Sequence, residues 1–170
     1  MTLQIRYLNI FLIFLVLPAI SFAGQFTVGH VTDGDTIKVS GNGESKITVR
    51  LVGIDAPETS PKKSRPGQPY SKKSTKHLTS LVLNKSVEVK SYGTDRYGRT
   101  LGVVFVGGKD MNLEMVKAGL AEVYRGKAAD GLNLEPYWNA EAEAKKAEIG
   151  MWSLGDKYIS PKEWRRMHRK

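Results

Sequence analysis

Asp33-Gly34-Asp35-Thr36, Arg50-Leu51-Val52-Gly53-Ile54-Asp55-Ala56-Pro57-Glu58 and Asp95-Arg96-Tyr97-Gly98-Arg99 concentrate acids and arginines at three points of the chain. Each alone reads as a turn, since Asp tolerates unusual dihedrals and Gly removes the steric penalty. The first is not an EF-hand loop, because Ile37 and Lys38 stand where a ligand and a glycine are needed. Together the three stretches describe a chemistry. Residues at i and i+2 of an extended segment face the same way, so Asp33 and Asp35 can converge on one ion. An all-oxygen, carboxylate-rich cluster favours a hard cation such as Ca²⁺ or Mg²⁺ over Zn²⁺. A phosphodiester attacked by water needs a metal, a base for the water and fixed cations for its equatorial oxygens. Arg50 and Arg99 offer guanidinium forks that match phosphate geometry better than ammonium groups do.

The elements that would hold these residues follow from the change of period along the chain. Phe26–Val28, Thr36–Val39 and Ile47–Val52 are short and β-branched, separated by Gly, Asp and Asn, and predict consecutive antiparallel strands. Four prolines in 57–69 predict a loop, and Tyr70–Leu83 fits a helix with Leu78, Leu81 and Val82 on one side. Ser86–Tyr92 and Thr100–Val106 predict two more strands, joined by the Asp95–Arg99 turn. Asp110 suits the N-cap of a helix ending near Gly119, Pro136 the first turn of another stopped by Gly150, and Ser160-Pro161-Lys162-Glu163 a capping box. Five strands with a helix after the third predict an α+β domain built on a small closed β-barrel. Asp33, Asp35, Asp55 and Glu58 then lie at strand ends or on loops, where a barrel rim can gather them.

The wider composition sets limits on the rest. The sequence has 170 residues, no cysteine and a formal net charge of +9. Disulfide scaffolds, thiolate zinc sites, iron–sulfur clusters and cysteine nucleophiles are excluded. Residues 1–23 read as a secretory signal peptide: Arg6, an apolar run Ile10–Leu17, Pro18, and small residues at Ser21 and Ala23. The apolar run is short for a spanning helix. The expected product is residues 24–170, a single exported domain with its core at about 26–152 and a basic tail over 153–170. Its location is periplasmic or secreted, with no stable membrane association. Lys62, Lys63, Arg65, Lys72, Lys73 and Lys76 form one basic cluster and Lys162, Arg165, Arg166, Arg169 and Lys170 a second, which favours anionic partners.

With these residues in place the chain resembles the staphylococcal-nuclease-like (thermonuclease) family of exported Ca²⁺-dependent nucleases, from about Phe26 to Trp152. The resemblance rests on the three stretches above, on Ala118-Gly119-Leu120-Ala121, and on the run from Ala142 to Trp152. It implies an α+β fold, a five-stranded OB-fold barrel with about three packed helices. Asp35 and Asp55 match the family's Ca²⁺ ligands, with the backbone carbonyl of Ala56 as a third and Asp33 acting through water. Glu58 matches the proposed general base, and Arg50 and Arg99 the arginines that stabilise the transition state. Arg96, Tyr97 and Tyr124 match substrate-side positions. The implied reaction cleaves the bond between phosphorus and the 5′ oxygen of DNA or RNA, leaving 3′-phosphate ends, and a monomer is expected.

The departures are few. Ala56 replaces a Thr used through its backbone, Arg96 replaces a Lys, and Gly126 stands where a second tyrosine would flank the nucleotide. His30, His77 and His168 form no metal spacing, and Trp138, Trp152 and Trp164 read as anchors of helices. Two other readings are a single-strand-binding barrel without cleavage and a basic protein adhering to polyanions.

Overall fold

The computed structural model describes residues 25–41, 46–60 and 66–168. The signal-peptide segment and Lys62, Lys63, Arg65, Arg169 and Lys170 lie outside them. In chain order the strands and helices are β1 (Gln25–Val31), β2 (Thr36–Ser40), β3 (Lys46–Leu51), β4 (Ile54–Asp55), α1 (Ser71–Val82), β5 (Ser86–Thr94), β6 (Thr100–Val106), β7 (Lys109–Asp110), α2 (Met111–Lys117), β8 (Glu122–Val123) and α3 (Glu135–Lys146). A 3₁₀ segment, Gly150–Lys157, and α4 (Pro161–Met167) follow. The expected strands and helices are thus present, and α4 starts at the capping box, with Ser160 Oγ accepting from the Glu163 amide at 3.1 Å.

The first three strands form an antiparallel meander, β1 also pairs with β5, and β5 with β6. Parallel pairing of β3 with β6, Val49 opposite Thr100 and Arg50 opposite Leu101, closes the barrel. Alternation sorts the side chains. Ile37 and Val39 of β2 and Val49 and Leu51 of β3 are buried inside with Val28, Val87 and Val104. Arg50, between Val49 and Leu51, therefore faces the other way. Leu78 and Val82 of α1, Met115 and Val116 of α2, and Tyr137 and Ala140 of α3 close over the same core.

Two polar fixtures hold the site strands in this frame. Buried Asn112 donates to the carbonyls of Val52 (2.9 Å) and Gly102 (3.0 Å) and accepts from the Val104 amide (3.1 Å). It fastens α2 and β6 to the turn between β3 and β4. Gly34 is needed for close packing: a Cβ there would fall on the side chain of Ser74 in α1, whose hydroxyl donates to the Leu120 carbonyl at 2.7 Å. The Asp33–Asp35 turn is thereby pressed onto a helix. Among the described residues no helix is long and apolar enough to cross a membrane.

Candidate active site

Asp35 stands where β2 begins, Arg50 near the end of β3, Asp55 in β4 and Glu58 on the loop beyond. Arg50 is the centre of the arrangement. One of its terminal nitrogens pairs with Asp35 Oδ1 and the other with Asp55 Oδ1, at 2.9 Å. The two candidate metal ligands are thus held one guanidinium apart. Asp35 also accepts from Thr36 Oγ1 (3.0 Å) and from the Ala56 amide (2.9 Å), while Asp33 Oδ1 caps the turn by accepting from the Asp35 amide (3.1 Å).

The electrostatics follow from burial. Desolvation pushes the Asp35 carboxyl up to about 7; Arg50 opposes this, while Asp33 and Asp55 add to it. Burial works against the charge of Arg50, but facing Asp35 and Asp55 its pKa still lies above the ordinary value. A buried carboxylate pair of this kind requires a cation in contact.

An open groove of about 1110 Å³ lies over this cluster. Asp33, Asp35, Arg50, Ala56 and Glu58 line it from one side, Arg96, Tyr97 and Arg99 from the β5–β6 hairpin, and Tyr124 from the segment after β8. Asp55 does not line it. Its carboxylate is buried, with both oxygens bonded to guanidiniums. The Arg99 fork is held by Asp95 Oδ2, at 2.7 Å from Nε and 2.7 Å from a terminal nitrogen. Tyr97 is exposed, its hydroxyl bonded to Arg96 at 2.6 Å and its ring beneath the Arg96 guanidinium at 4.8 Å. Tyr124 is 40% exposed and anchored by its amide to the Gly53 carbonyl at 2.9 Å. Gly126 leaves room for the Tyr124 ring, which a Cβ at that position would strike.

Two residues of α4, Trp164 and Arg165, and His168 just after it also line the groove and were not assigned to it from the sequence. Arg165 reaches Asp55 with both terminal nitrogens (3.0 and 2.7 Å) and Glu58 Oε1 with one of them (2.5 Å). Trp164 and His168 stack at 4.2 Å between ring centroids. The capping box at Ser160 reveals the helix, but nothing local reveals where it docks. The exposed Lys72, Lys73 and Lys76 lie on α1, outside the groove lining.

Residues 48–154 match the family described as "Staphylococcal nuclease homologue". The chain belongs to the staphylococcal nuclease homologue family. Within the matched residues fall Arg50, Asp55, Glu58, Arg99 and Tyr124; Asp33, Asp35 and the whole of α4 lie outside them. The chain is 38% identical over 98% of its length to an "Uncharacterized endonuclease" of Haemophilus influenzae, of which the match covers 87%. It is 40% identical over 72% of its length to a "Probable endonuclease LCL3" of Pyricularia oryzae, and 38% identical over 72% to the protein of that name from Komagataella phaffii. The match spans about half of these two fungal relatives, 49% and 56%. The barrel and its helices agree with the α+β fold expected of the staphylococcal nuclease homologue family.

The donor set here suits a hard divalent cation. Carboxylates are the ligand type gathered around Arg50, and thiols are absent from the sequence. A carboxylate has about four acceptor positions. The hydrogen bonds above leave one on Oδ2 of Asp35 and one on Oδ2 of Asp55. Among the described residues no three acidic or histidine side chains form a ready-made cage; guanidiniums neutralise the acids instead. A cation joining Asp35 and Asp55 would therefore draw on few protein ligands and keep much of its water.

Proposed function

We propose that the chain is an exported, Ca²⁺-dependent nuclease that hydrolyses phosphodiester bonds of DNA and RNA at the 5′ oxygen, leaving 3′-phosphate ends, and that it acts as a monomer. The observation that carries this reading is the convergence on one groove of two fixed arginines, Arg50 and Arg99, with the carboxylates Asp35 and Glu58. The names of the relatives, endonucleases all, point the same way.

A phosphodiester entering the groove meets Arg50 from β3 and Arg99 from the hairpin, two forks that orient its non-bridging oxygens. Asp35, Asp55 and the Ala56 carbonyl would hold Ca²⁺, with Asp33 acting through water. When bound, the ion supplies Lewis-acid polarisation of the phosphate. Glu58 accepts the proton of the attacking water. As negative charge grows on the equatorial oxygens, Arg50 and Arg99 receive it without reorganising, because Asp35, Asp55 and Asp95 already hold them in place. Tyr97, Arg96 and Tyr124 bear on the flanking nucleotides through stacking and charge.

The decisive test incubates the protein with single-stranded DNA, duplex DNA and RNA, in Ca²⁺ and then in EGTA. Calcium-dependent degradation leaving 3′-phosphate ends is expected. Retention of the nucleic acid without cleavage over a range of Ca²⁺ and pH would make the barrel a binding module.

A further inference from the structure

We propose that Arg165 is a positioning residue for the reaction: α4 delivers a guanidinium that ties Asp55 to Glu58 and fixes the carboxylate of the general base. The inference rests on the nuclease reading and adds an element outside the stretch that matches the family.

Glu58 sits on a loop after β4 with no strand or helix of its own. Its side chain is about one-third exposed, and Arg165 is its one hydrogen-bond partner among the described residues. Without that contact the carboxylate would be free to sample several rotamers. With it, one planar fork spans Asp55 Oδ1, Asp55 Oδ2 and Glu58 Oε1, so the two carboxylates are set relative to each other. The hydrogen bond to Asp55, foremost, keeps Arg165 charged, its pKa above the ordinary value.

A second set of contacts ties the same loop to the segment leading into α4. Buried Gln68 accepts from the Glu58 amide with its side chain (3.0 Å) and donates through its own amide to the Glu58 carbonyl (2.9 Å). Its side-chain nitrogen donates to the carbonyl of Ile159 at 2.7 Å, just before the Ser160 cap. Glu58 is therefore held at its backbone through Gln68 and at its carboxylate through Arg165, and both supports lead to α4. Arg165 acts through Glu58 and Asp55, the acids to which both of its terminal nitrogens are bonded.

The test measures kcat and KM of the full chain and of Arg165→Ala, Arg165→Lys, Glu58→Ala and the Glu58→Ala/Arg165→Ala double variant on a labelled oligonucleotide in Ca²⁺. Urea midpoints of the same proteins are measured without metal. Arg165→Ala should lower kcat about tenfold or more with KM within about twofold. Arg165→Lys should recover little, because an ammonium cannot span both acids. The double variant should be no slower than Glu58→Ala by more than about twofold. The urea midpoints should be non-additive as well.

Faster cleavage by Arg165→Ala would make Arg165 a plug and overturn the proposal. So would a loss confined to KM, full rescue by Lys, or losses that multiply in the double variant. If the unmodified chain fails to cut at all, the nuclease reading falls by itself. The urea cycle then decides the tie between Arg165 and Glu58: non-additive midpoints keep it and additive ones remove it.

Discussion

Asp95 and Arg99 close the β5–β6 hairpin on themselves: one carboxylate oxygen accepts from the amides of Tyr97 and Arg99, and the other holds the Arg99 guanidinium at 2.7 Å. The turn and the aim of its arginine are therefore one structure. Burial is the largest single influence on the Asp95 carboxyl and raises its pKa, but the backbone and side-chain bonds from Arg99 and Tyr97 together hold it below the ordinary value.

On the nuclease reading, Arg99→Lys should reduce kcat about a hundredfold or more while leaving KM nearly unchanged, because a preorganised fork acts on charge that develops in the transition state. Asp95→Ala should fall in the same direction by freeing the fork. Steady-state kinetics on a defined oligonucleotide checks both, and a variant losing only affinity would sink the prediction.

Arg50→Ala leaves Asp35 and Asp55 buried and facing each other without the shared guanidinium. Breaking a buried pair in this way should cost about 3–5 kcal/mol in urea titrations without metal. Added Ca²⁺ should return part of that stability if Asp35 and Asp55 are its ligands. A midpoint indifferent to Ca²⁺ would argue against that ligand set.

Asn112→Ala removes three buried hydrogen bonds and takes the side-chain partner from the Val104 amide and the Val52 carbonyl, while the Gly102 carbonyl keeps the Val52 amide at 2.9 Å. A loss of about 2–4 kcal/mol is expected. Cleavage should fall with it, because Val52 leads directly into Asp55. Equal stability to the parent chain would show that the Asn112 bonds carry little net weight.

Glu122 bears on pH. Burial, with Asp55 and Glu141 nearby, raises its pKa despite a hydrogen bond from the Tyr158 hydroxyl at 2.5 Å. As pH rises from about 4.5, the unfolded chain releases this proton before the folded one does. The folded state therefore loses stability over that window. Glu122→Gln keeps an acceptor for Tyr158 and removes the ionisation. Melting temperatures between about pH 4 and pH 8 should fall less with rising pH in the variant; an unchanged slope would exclude Glu122 as the source.

Much of this was legible in the sequence, for local reasons. Alternation in Thr36-Ile37-Lys38-Val39 and Ile47-Thr48-Val49-Arg50-Leu51 marks strands with one buried face, and it also sends Arg50 away from the core. Ser160 and Glu163 mark a helix start through their own hydrogen bond. Asp33, Asp35, Asp55 and Glu58 lie at strand ends or on loops in the sequence, and of these Asp33, Asp35 and Glu58 line the groove while Asp55 is buried and does not. The role of α4 was not legible. Arg165 meets Glu58 from 107 positions away in the sequence, and its docking is decided by Gln68 and Ile159, neither of which carries a sequence signal for it. Asn112 was hidden for the same reason: a polar residue in an amphipathic helix gives no hint that its partners are three backbone groups on two other segments. Gly34 was read as a turn residue, whereas its contact with Ser74 gives it a packing reason.

The parallel seam between β3 and β6 has a consequence for how the molecule would fail. Arg50 is opposite Leu101 across that seam, and Arg99 immediately precedes β6. Both of these groove-lining arginines thus ride on the margins of the joint formed between chain segments far apart in sequence, which is entropically expensive to bring together. A slight parting of this joint would move the two guanidiniums off a common target while most of the helices stayed wound. Enzymatic turnover should then act as a sensitive gauge of barrel closure, fading at lower urea than the helical circular-dichroism signal.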